Sequence, residues 1–150
     1  MKVMKSIFPK IFLSLLFCTA YVTIIYCQLN EWRGPDRAGI YNETGLLKKW
    51  PDGGPKLLWE AEKMGDGYSA VTVTDDAVYI TGRKDSSDVL IALTLDGKKK
   101  WETVYGKAWM TNHTGSRCIP TYYNGNIFLI SGSGDLVCVS SNGKIKWSKN

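Results

Sequence analysis

The chain has 150 residues, 44% hydrophobic and 22% charged, with 15 glycines; this excludes a disordered polar tract and a collagen-like repeat, and the length suits one domain. Nineteen bases and 14 acids give a formal +5, but Lys2, Lys5 and Lys10 come before the first acid, Glu31. Without them 16 bases face 14 acids, which excludes a strongly basic nucleic-acid-binding domain. Six Trp, eight Tyr and abundant glycine favour an all-β chain rich in turns.

In residues 1–27 three lysines precede an uncharged, mostly apolar stretch over 11–27, and a polar run follows. That layout predicts a secretory signal peptide. An uncleaved N-terminal anchor is the alternative, because the apolar stretch reaches the lower limit for a spanning helix. Cleavage after Ala20 and cleavage after Cys27 both remain open. Lipidation of Cys27 is the minor reading, since Tyr26 stands where a small residue is favoured. The rest is expected outside the cytoplasm, in a bacterial periplasm or beyond it, with membrane contact only through this segment.

Residues 28–66 read as a lead-in segment carrying a first outer strand, and the remainder repeats. Trp59, Trp101 and Trp147 recur at spacings of 42 and 46. Apolar runs at 77–82 and 126–131 are each followed by a second run, at 89–95 and 135–140. Each copy then closes on a turn and a tryptophan: Asp96-Gly97 before Trp101, Asn142-Gly143 before Trp147. Asp-Gly and Asn-Gly tolerate positive φ and make tight hairpins, so four antiparallel strands are predicted per unit. They fall at 69–74, 77–82, 89–95 and 99–105, then at 117–122, 126–131, 135–140 and 144–149. The two units span 67–105 and 115–150, the signature of four-stranded β-propeller blades. Each tryptophan is expected to cover the turn before it and fill the gap between blades.

Cys118 is placed on the first strand of its unit and Cys138 on the third. One strand lies between them, and a separation of about 10 Å exceeds disulfide reach. Asp75-Asp76 and the run from Asp85 to Asp88 are read as turn residues rather than cation ligands. His113 has no nucleophile signature beside it, and one His with two separated Cys lacks zinc spacing. Lys98 to Lys100 blunt a turn and an outer strand. The long link over 105–115, with Trp109, Met110 and the following Arg117, is the candidate binding loop.

The run Trp32-Arg33-Gly34-Pro35-Asp36-Arg37-Ala38-Gly39, with Trp50-Pro51 and Gly54-Pro55-Lys56-Leu57-Leu58-Trp59-Glu60, resembles the opening of bacterial secreted PQQ-like β-propeller repeat proteins. These belong to the quinoprotein alcohol dehydrogenase-like superfamily, and many are similar to the assembly factor BamB. Gly67-Tyr68-Ser69, Gly115 to Thr121 and Gly132 to Cys138 fit as well. The resemblance implies rings of seven or eight blades, roughly 300 to 370 residues, so two blades of an incomplete ring are expected here. The N-terminal fragment of a longer product is the favoured reading; completion of a ring with other chains and a truncated product without independent function are the others.

For function, the resemblance implies a non-catalytic scaffold that binds an envelope protein or polymer, with no cofactor in this segment. The alternative is the N-terminal part of a PQQ-dependent dehydrogenase, which would bring PQQ, calcium, an aspartate base and adjacent cysteines. No Cys-Cys pair is present, and no Asp or Asn stands in a matching context.

Overall fold

The computed structural model describes residues 33–34, 38–41 and 43–150. The expected signal or anchor over 1–27 lies outside the described residues, as do Trp32, Pro35, Asp36, Arg37 and Asn42. Eight strands make two four-stranded antiparallel sheets in sequential order. The first holds β1 (Thr72–Val73), β2 (Val78–Lys84), β3 (Ser87–Leu93) and β4 (Lys99–Lys107). The second holds β5 (Thr121–Tyr123), β6 (Asn126–Ile130), β7 (Leu136–Ser140) and β8 (Ile145–Lys149). Each sheet is a meander with the form of one propeller blade, and no helix occurs among the described residues.

The hairpins divide into two kinds. Asn124 and Gly125 both have positive φ and form a two-residue loop between paired Tyr123 and Asn126. At Asp96-Gly97 and Asn142-Gly143 only the glycine is left-handed, so these loops are longer than the expected tight hairpin. A hydroxyl closes each one. Thr94 Oγ1 accepts the Lys98 N–H at 3.0 Å and Ser140 Oγ accepts the Lys144 N–H at 3.2 Å. Competition of Ser and Thr with the backbone for local hydrogen bonds is what this geometry uses.

Alternation along β3 gives the first sheet two buried faces. Leu90 and Ala92 join Tyr79, Ile127, Leu129, Val137 and Val139 in a core between the sheets. Val89, Ile91 and Leu93 pack with Val78 on the other face, against Ala61 and Met64 of the lead-in segment. The near-continuous apolar run of β3 follows from this double burial. Around Trp59 the lead-in has no ladder partner among the described residues; the first backbone bridge it makes to the sheet is that of Asp66 with Arg83.

Four hydrogen bonds between the sheets run from side chains of the first to main-chain carbonyls of the second unit. Thr72 Oγ1 donates to Pro120 O, Thr81 Oγ1 to Cys118 O at 2.5 Å, and Thr103 Oγ1 to Gly143 O at 2.6 Å. Trp101 Nε1 donates to Ser141 O at 3.1 Å. The tryptophan contact corrects an expectation: Trp101 covers the turn of the following sheet, not the turn before it. The outer strand faces the next unit, so its indole meets that unit's glycine.

Candidate binding site between the two sheets

The site forms where β3 begins, at the opposite end of β4 from Trp101. Asp88 pairs with Gly106 and Val89 with Val104, so Tyr105 is the extra residue of a bulge. A bulge re-aims side chains; Tyr105 is buried, and its hydroxyl lies 3.2 Å from Ser116 Oγ. Gly106 is needed here, because a Cβ on it would stand 2.4 Å from Ser131 Cβ.

After β4 the chain runs through residues 108–120 before re-entering a sheet. The loop is pinned at several points. Ala108 N–H bonds Ser86 O at 3.0 Å, Tyr68 N–H bonds Ser116 O at 2.8 Å, and Ser116 N–H bonds Asp66 O at 3.1 Å. Between the loop, the start of β3 and the end of β6 lies a cavity of about 520 Å³, lined by Asp88, Trp109, Ser116, Arg117, Cys118 and Ile130 among others. That volume lies within the range of small-ligand sites.

Asp88 is 2% exposed. Its Oδ2 accepts the Gly132 N–H at 2.6 Å, and its Oδ1 has no partner. Burial raises its pKa, against the lowering effect of the Gly132 N–H and the Arg83 charge. Burial likewise pushes the Cys118 thiol up, although the Ile130 N–H bonds its sulfur at 3.1 Å. The Tyr105 phenol is raised far above its ordinary range, chiefly by desolvation.

Of the residues expected in a binding loop, Trp109 and Arg117 line the cavity and Met110 does not. Met110 is half exposed. Trp109 Nε1 donates to Asn112 Oδ1 at 3.0 Å. Arg117 Nη2 donates to His113 O, and its guanidinium lies 5.9 Å from the Tyr68 ring centroid. Trp59, Trp101 and the turns at Asp96-Gly97 and Asn142-Gly143 belong to the packing between units, while Trp147 lies on β8 against Phe128. Cys118 lies ahead of β5 rather than on the first strand of its unit. Cys118 and Cys138 are both free thiols.

Asp88 corrects the turn assignment of the run from Asp85 to Asp88. The turn is only Asp85-Ser86, with Asp85 at φ 53, and Asp88 lies inside β3. Asp76 does act in a turn, accepting from Thr74 Oγ1 at 2.9 Å. Among the described residues no three His, Cys, Asp or Glu side chains converge as a cation site.

A family model described as outer membrane protein assembly factor BamB matches residues 37–150. No curated protein matches the chain.

Proposed function

The chain belongs to the BamB-like family of PQQ-type β-propeller repeats, and from that membership we propose that it is exported and acts as a non-catalytic, protein-binding platform in the cell envelope. The basic and apolar character of residues 1–27 supports export. One observation carries the binding role: the 108–120 loop is held by main-chain hydrogen bonds on two packed sheets, yet it leaves Trp109 and Met110 about half exposed beside a cavity. Rigidly presented aromatic and Met side chains are common anchors at interfaces.

A photo-crosslinking residue at Met110, in the native host, tests this. The expected result is a discrete adduct with an envelope protein. Fractionation of the chain with the cytoplasm, or absence of any adduct together with alcohol oxidation on addition of PQQ and calcium, overturns it.

A further inference from the structure

The stretch from Thr103 to Gly134 carries two cations, Lys107 and Arg117, and no Asp or Glu. It supplies the whole lining of the cavity except Asp88. Asp88 is almost wholly buried, with Oδ2 on the Gly132 N–H and Arg83 opposite it in the ladder. Asp135, the next acid in the chain, takes the Ser131 and Ser133 hydroxyls on Oδ2, both at 2.9 Å, and Asp66 pairs with Arg83. Of the lining residues Arg117 alone therefore offers an accessible charge.

That charge is exposed but held in place. Arg117 Nη2 donates to His113 O, and the Tyr68 ring backs the guanidinium, while Nε and Nη1 have no partner among the described residues. Beside it the lining is apolar at Trp109, Ile119 and Ile130, and the indole is fixed by its bond to Asn112. A preset cation next to a preset apolar wall suits a group that has both complements.

We propose that the partner of this site is an acidic peptide segment, one with an apolar side chain beside a carboxylate. The apolar side chain enters between Trp109, Ile119 and Ile130, and the carboxylate accepts from the open N–H groups of Arg117. Charge-assisted hydrogen bonds of this kind are the stronger class. A glutamine in place of the glutamate keeps the shape and loses the charge; a lysine brings like charge to Arg117. The proposal rests on the protein-binding reading above and names the chemistry of the partner.

Proton–nitrogen NMR titration of the full chain with acetyl-Leu-Glu-amide, acetyl-Leu-Gln-amide, acetyl-Leu-Lys-amide and acetate tests it. Saturable shifts of the Trp109 indole N–H are expected with the Glu peptide, at about tenfold tighter affinity than with the Gln peptide, and weakest with the Lys peptide. Arg117→Gln, at an exposed position, is expected to remove the difference between Glu and Gln peptides while leaving the apolar contribution. Equal affinity for Glu and Gln peptides, preference for the Lys peptide, or no saturable shift overturns the proposal, whatever Met110 crosslinks to. Acetate binding as tightly as the Glu peptide also overturns it, since the apolar wall would then add nothing. Retained preference for the Glu peptide without a Met110 adduct strikes only the envelope-partner reading.

Discussion

The indole of Trp101 lies over Gly143, so close that a Cβ on the glycine would stand 2.9 Å from Trp101 Cδ2; Trp59 stands over Gly97 in the same way, at 2.6 Å from Cε3. Trp101 of β4 and Trp59 of the lead-in thus each register the unit that follows through a residue that has no side chain.

Gly143→Ala is expected to destabilise the chain by about 2–3 kcal/mol, from left-handed strain at φ 84 plus collision with the indole. Gly125 separates the two effects. Its φ is 74 with nothing within 4 Å, so Gly125→Ala should cost only about 1 kcal/mol. Urea unfolding midpoints of the two variants provide the comparison, and equal losses would remove the role assigned to the indole.

Trp101→Ala should cost about 2–4 kcal/mol, since the ring packs on the core between the sheets, meets Tyr79 at 6.0 Å and donates to Ser141 O. Trp147 is 39% exposed, with Phe128 at 6.1 Å as its ring neighbour. Trp147→Ala should cost about 1 kcal/mol, checked on the same unfolding curves.

Asp88 makes stability depend on pH in the direction opposite to a salt-bridged carboxylate. Its folded pKa lies above the ordinary 3.8, so above that value the unfolded chain releases its proton first. Stability is expected to fall as pH rises from about 4 toward the folded pKa. Glu102, lowered by its hydrogen bonds to Lys84 and Lys99, contributes stability that is lost as pH falls through its folded pKa. Asp88→Asn should flatten the descending limb alone, as read from unfolding free energies across the acid to neutral range.

The Tyr79 phenol is pushed up to about 12 from 10.0, mainly by desolvation, and Tyr105 lies higher still. Both are neutral in the fold at a pH where unfolded phenols ionise. Stability should decline progressively above pH 10, with phenolate absorbance from these two rings appearing only with unfolding. An early, fully reversible titration of every tyrosine in the folded chain would contradict this.

The strand plan was legible because turns punctuate it. Asn124-Gly125, Asp96-Gly97 and Asn142-Gly143 fix three hairpins, and the apolar runs between them are long enough to be unambiguous. The β2–β3 hairpin was misjudged because Asp85, Ser86, Ser87 and Asp88 all favour turns by local chemistry. Pairing across the ladder, which local preference does not encode, carries Ser87 and Asp88 into the strand. The same gap hid the centre of the cavity. Trp109 and Arg117 stood out in a long link, but Asp88 acquires its environment from Gly132, 44 positions away, and no spacing rule connects them. The reversed direction of the tryptophan contact has a similar origin: Asp96-Gly97 is nearer to Trp101 in sequence, but Asn142-Gly143 is nearer in space.

Thr72, Thr81, Thr103 and Trp101 of the first unit donate to carbonyls at Pro120, Cys118, Gly143 and Ser141. A carbonyl is present whatever residue carries it, so the second unit is recognised by the path of its main chain. These bonds make no demand on the side chain opposite, whereas loss of a hydroxyl at Thr72, Thr81 or Thr103 removes a bond that no substitution opposite can restore. A segment that follows the same main-chain path and keeps a glycine beneath the indole would therefore meet the same donors, whatever its other side chains.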